Sequence, residues 1–220
     1  MNNKFITKLL GMSTALMIGT SATASEPSIP GTEGFERFKK DSIEAYYYKA
    51  DIMSGVFVRG YAPVEKLNMA EHFGEYADQI HFFGQGIYSS GTQRWANVFS
   101  VDVSQYGFGG GIGGWTPLFE SDDGSLQVAA IGNIGVRYAS VKIAGRSVAV
   151  TGVIWDLHVL ASTKSVPGLK FGFAMVDSGT GYGHDTNHIG PLHVSYDLTP
   201  KITAAAYLGS SSAIGIEYKF

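Results

Sequence analysis

The last ten residues of the chain, Ser211–Phe220 (SSAIGIEYKF), set Ile214, Ile216, Tyr218 and Phe220 on one side and Gly215, Glu217 and Lys219 on the other. A period of two is the mark of an extended strand, whose successive side chains point to opposite faces. Eight further segments repeat it, separated by turn residues. Leu126–Tyr138 alternates Val128, Ala130, Ile134 and Val136 with Gln127, Asn133 and Arg137. Val153, Trp155, Leu157 and Val159 alternate with Asp156 and His158, and Leu192, Val194, Tyr196 and Leu198 with His193, Ser195 and Asp197. Leu169–Met175 and Ile202–Leu208 behave in the same way, as do Arg94–Val103 and the weaker Gln79–Tyr88. Gln105–Leu118 has Tyr106, Phe108 and Ile112 on one face and almost only glycine on the other. The pattern demands an all-β fold with two chemically different faces, and no later apolar run is long enough for a membrane helix.

The apolar face is rich in aromatics near strand ends, as at Trp95, Tyr138, Trp155, Tyr196 and Tyr218, which is how interfacial girdles are built. The opposite face carries charges of both signs. Each would cost about 2–4 kcal/mol if turned to lipid at mid-depth, whereas inside a narrow barrel they pair across strands. Arg94, Asp102, Arg137, Asp156, His158, Lys170, His193 and Glu217 are therefore expected to face a lumen. With 29 glycines, 13% aromatics and a mean hydropathy near zero, the composition suits a membrane barrel: apolar outside, polar inside.

Met1–Ala24 has a basic start (Lys4, Lys8), an apolar stretch from Leu9 to Ile18, and Ala22-Thr23-Ala24 before Ser25, the layout of a secretory signal peptide. Without it Lys+Arg falls from 16 to 14 against 19 Asp+Glu, a balance that excludes nucleic acid as a partner. The chain has no cysteine, so no disulfide holds the fold. The terminal strand ending on Phe220 resembles that of Gram-negative outer-membrane β-barrels. The resemblance implies an outer-membrane location, recognition by the barrel-assembly machinery, and outer-membrane lipid and lipopolysaccharide as surroundings.

The expected organisation is a signal peptide at 1–24, a periplasmic segment or amphipathic helix at 25–50, and an antiparallel up-and-down barrel at 51–220. Nine strands from Gln79 onward, with Ile52–Tyr61 added for an even count, give about ten strands; eight and twelve are the alternatives. Turn chemistry at Ser89–Thr92, Ser121–Gly124, Ser165–Gly168 and Leu198–Pro200 defines the periplasmic side. Asp177–His188 is then the long outer loop, and Val64–Tyr76 an outer loop or short helix.

Few residues point to chemistry. The glycine run Gly107–Gly114 lacks the Lys-Ser/Thr of a phosphate loop and reads as a strand that leaves room for bulky side chains opposite. His193-Val194-Ser195 resembles the His-x-Ser of outer-membrane lipid A deacylases, which would make His193 the base and Ser195 the nucleophile for attack on an ester. Tyr196 stands where that family has Asn, and Thr203 and Tyr207 where it has an acid. His184, Asp185 and His188 crowd the outer loop without a helix to fix them, so no metal is expected. Asp122-Asp123 resembles half of an acidic protease dyad but falls in a turn on the wrong side. Asp156 and His158 form either a lumen gate or a buried charge network. No cofactor is expected. The function class is a small barrel with a structural, surface-interaction or narrow-pore role, with an envelope lipid-modifying hydrolase as the alternative.

Overall fold

The computed structural model describes residues 41–50, 53–67, 69–95, 99–177 and 188–220. Its strands are β1 (Ser42–Ala50), β2 (Met53–Pro63), β3 (Ile80–Trp95), β4 (Phe99–Glu120), β5 (Leu126–Ile143), β6 (Arg146–Thr163), β7 (Leu169–Asp177), β8 (His188–Thr199) and β9 (Ile202–Lys219). They form one closed barrel in sequence order, antiparallel at every seam, and β1 closes the ring against β9. The expected signal peptide at 1–24 lies outside the described residues.

Nine strand elements stand where about ten are expected, because Ile202–Leu208 and Ser211–Phe220 run on as the single element β9. This element has two sets of partners. Ile202–Ser211 pairs with β8 and Ser211–Lys219 with β1. A straight strand over that span would hold its ends about 56 Å apart at 3.3 Å per residue, yet the Lys219 N–H donates to the Lys201 carbonyl at 2.9 Å. β9 therefore doubles back near Gly209. That reversal is what allows an odd number of elements to close with every seam antiparallel.

Four further expectations are corrected. Ser42–Ala50 is a barrel strand, where a periplasmic segment or amphipathic helix is expected; Tyr46 and Tyr48 point in while Tyr47 points out, so polarity does not reveal its alternation. Ser89–Thr92 is not a turn, since it lies within β3, and Arg94–Val103 spans the β3–β4 connection instead of forming one strand. The Val64–Gln79 connection (a 3-10 turn at Glu65–Leu67, a short α-helix at Ala70–Phe73 and a 3-10 stretch at Gly74–Gln79) lies at the end of the barrel that holds Asp41 and Phe220, not the opposite one. There Phe220 N–H bonds the Asp41 carbonyl, and Lys66 pairs with Asp41 at 3.3 Å.

Alternation sorts the wall into two faces. Ile134 and Val136 are 60% and 69% exposed, and Phe108, Tyr138, Trp155, Phe171, Leu192, Val194 and Ile214 join them in an outward apolar belt. The inward positions are buried and form layers. Above a polar middle sits an apolar and aromatic layer that includes Tyr46, Tyr48, Phe57, Val176, Ile189 and Tyr207. Tyr46 stacks on Phe57 at 5.0 Å and meets Tyr207 edge-on at 5.3 Å. Higher still, Met53, Val103 and Val141 make a second apolar cluster.

Candidate functional site

The polar middle of the lumen is organised around Arg59 on β2, which is 1% exposed. Strand alternation carries Phe57, Arg59 and Tyr61 inward together, and the guanidinium lies 5.2–6.0 Å from the ring centroids of Phe57, Tyr61 and Phe83. Its Nε and Nη2 donate to Gln85 Oε1 at 3.0 and 2.6 Å. Its Nη1 crosses the lumen to Asp156 Oδ2 on β6 at 2.5 Å. A wall-to-wall pair of this kind suits Arg, whose planar fork addresses several acceptors at once.

Asp156 gathers the rest. Its Oδ2 also accepts from Asn133 Nδ2 at 3.3 Å, and its Oδ1 from the backbone N–H of Asp177 at 2.8 Å. Asp177 in turn receives Arg137 Nη1 at 2.7 Å. On the other side Tyr61 donates to Glu44 Oε1 at 3.0 Å and accepts from Arg59 at 3.2 Å. Glu44, Asp156 and Asp177 thus each meet a cation, the condition under which buried ions are tolerated.

One contact in this network depends on a bare backbone between its partners. His81 Nε2 on β3 reaches Asn133 Oδ1 on β5 at 2.7 Å, across β4. The residue between them is Gly113, where a Cβ would come within 2.0 Å of Asn133 Oδ1 and 2.5 Å of His81 Nε2. The steric reading of the glycine run holds at this position.

Toward the terminal end, Lys170 and Lys219 converge on Asp197 at 2.8 and 3.2 Å, joined by the Thr203 hydroxyl. Next to the apolar layer, His158, His193 and Tyr207 form a ring cluster with centroids 4.6–6.2 Å apart.

The structure places Arg137, Asp156, His158, Lys170, His193, Ser195 and Glu217 inside the barrel. Asp102 is corrected: it is exposed, shares the outward register of Tyr106 and Phe108, and accepts from Thr92 Oγ1 at 3.1 Å. Above the apolar belt the two faces exchange character, so Val103 turns in and the carboxylate turns out to water. Arg94 pairs in register with Ser100, and its side chain lies outside the described residues, as do His184 and Asp185. Among the described residues no group of three metal-ligating side chains comes together. Ser195 Oγ is buried without a hydrogen-bond partner, on the same inward face of β8 as His193. Sequence reading missed Glu44, Arg59, Tyr61, Gln85 and Asp177. Arg59 carried a signal, as the charged inward position of an alternating segment.

The fold is similar to solved small outer-membrane barrels. The attachment invasion locus protein Ail of Yersinia pestis matches at 10% identity and TM-score 0.29, covering 83% of this chain and 99% of that one. Neisserial surface protein A matches at 14% identity and TM-score 0.36, covering 82% and 96%. The KdgM porin matches at 12% identity and TM-score 0.31, covering 81% and 99%. No family model and no curated protein matches the sequence.

Proposed function

We propose that this protein is a non-conducting, non-enzymatic barrel of the outer membrane, with the end that holds Phe220 in the periplasm and the opposite end used for surface interaction. With each limb of β9 counted as a stave, the wall has ten, a bore that side chains can largely fill. The observation that carries the reading is the wall-to-wall Arg59–Asp156 pair, with the Tyr46–Phe57–Tyr207 layer stacked over it. Together they leave the lumen occupied by two successive layers of opposite chemistry. The wild-type protein in planar bilayers is expected to give no steady conductance. Steady, reproducible channels would overturn this reading in favour of a pore.

The hydrolase alternative is weaker because Ser195 is 1% exposed inside the wall, where no lipid ester can approach it. It predicts loss of acyl chains from lipid A when the wild type is expressed, and their retention with Ser195→Ala, both readable by mass spectrometry of the lipids.

A further inference from the structure

The outward face at the tall side of the barrel has a second kind of surface. β4 continues past the end of β5: its seam with β5 stops at Val103 opposite Ile143, while its seam with β3 goes on to Phe99 opposite Trp95. The β5–β6 connection turns tightly through Ala144 (φ 48°) and Gly145 (φ 82°), and Ala144 N–H bonds the Asp102 carbonyl at 3.4 Å. The step between the long arm and the short turn is a half-open cavity of about 730 Å³. Ser90, Thr92, Asp102, Ser104 and Lys142 line it.

These residues share the outward register of the tyrosines below them. Tyr88 is opposite Tyr106, and Phe108 is opposite Tyr138 with ring centroids 5.7 Å apart. Reading down this face gives hydroxyls with one carboxylate and one ammonium, then tyrosines, then Phe108, Ile112, Ile134 and Val136. That is the order of a membrane lipid: polar head, interface, acyl chain. The four steps from Ser104 to Phe108 cover about 13 Å at 3.3 Å per residue, so a lipid head at Ser104 leaves its acyl chains to run from Phe108 downward.

The chemistry of the cavity narrows the head. Asp102 and Lys142 leave it without net charge, and each hydroxyl can both donate and accept, which suits a polyol better than a cluster of phosphates. Thr92 orients the Asp102 carboxylate, which is placed to accept from neighbouring hydroxyls of a ring. The volume lies in the range of about 300–1,000 Å³ that encloses a compact organic ligand, more than a single phosphate ester fills. We propose that this shelf holds the saccharide head of a glycolipid whose acyl chains lie down the Tyr106–Phe108–Ile134 face. The proposal rests on the reading that the end opposite Phe220 is the outer one.

The test titrates the full-length protein in detergent micelles with rough-type lipopolysaccharide, and separately with phosphatidylglycerol of similar chain length and with the free core oligosaccharide. Thermal unfolding is the readout. A saturable rise in Tm is expected with the lipopolysaccharide alone. The apparent affinity should fall at least tenfold in Ser104→Trp, which fills the shelf, and in Asp102→Ala and Lys142→Ala, which remove its charged groups. Gel mobility with and without heating verifies that each variant is folded, and the two alanine variants carry the test if the tryptophan does not fold. An equal response in wild type and alanine variants, an equal response to phosphatidylglycerol, or equally tight binding of the free oligosaccharide each overturns the proposal. Orientation is read separately by labelling Lys142→Cys on intact cells with an impermeant maleimide. Its failure to label refutes the outward placement, whatever the micelle titration gives.

Discussion

β2 and β4 stand two places apart in the wall and fill the lumen in opposite ways. β2 sends in Phe57, Arg59 and Tyr61, while β4 presents Gly107, Gly109, Gly111 and Gly113 along most of its inward face. A bore this narrow cannot take bulk from every stave. The bare stave leaves room for the others: His81 and Asn133 of its two neighbours meet at Gly113, and Ile154 of β6 lies over Gly109, where a Cβ would sit 2.6 Å from Ile154 Cδ1. The loaded stave supplies the cation that neutralises the acids of other strands. Glycine and arginine are two halves of one packing solution.

Changes on the loaded side should cost most. Arg59→Ala leaves Asp156 and Glu44 buried with their shared cation removed, and breaking a buried pair in this way costs about 3–5 kcal/mol. Urea unfolding of the protein in lipid vesicles reads that loss. A change under about 1 kcal/mol would mean that water enters the lumen and solvates the acids. On the bare side, Gly113→Val forces β-branched bulk between His81 and Asn133, and overpacking of this kind costs about 1–3 kcal/mol. The same unfolding assay measures it, and an unchanged midpoint would contradict the tight His81–Asn133 approach.

The same comparison explains how much could be read from sequence. Where a strand crosses the apolar belt with a polar inner face, as in β5, β6 and β8, alternation alone assigned the faces correctly. It failed where one of those conditions lapses. β1 sends Tyr46 and Tyr48 inward against an aromatic layer while Tyr47 points out, so polarity does not distinguish its faces. In β3 the Ser-Ser-Gly-Thr run lies above the belt, where a strand stands in water and reads like a turn. Dividing β3 and β4 into three strands and omitting β1 left the count unchanged but moved the Val64–Gln79 connection to the wrong end. The Arg59–Asp156 contact could not be read at all, since it joins residues 97 apart across the bore and depends on the order of staves around the ring.

The smallest effect belongs outside the barrel, in the turn between β4 and β5. Asp123 accepts from the Ser125 backbone N–H and the Ser121 hydroxyl, which hold its carboxyl down at about 2. Its folded value is below the unfolded one, so its contribution is complete above about pH 3.9 and disappears as pH falls through 2. Asp123→Asn should therefore unfold with a shallower pH dependence between about pH 4 and 2, slightly less stable than wild type at neutral pH and converging with it as pH falls through 2. Identical acid profiles would show that the turn does not depend on the carboxylate.

A single alternation divides lipid from a sealed interior, and β5 is the strand on which this is most directly measured. The chain has no cysteine of its own, so single cysteines at Asn133, Ile134, Val136, Arg137, Tyr138 and Ala139 can be compared in vesicles using a lipid-soluble maleimide. Positions 134, 136 and 138 are predicted to label, and 133, 137 and 139 to stay protected. Labelling of the second set, or equal labelling of both, would contradict the account.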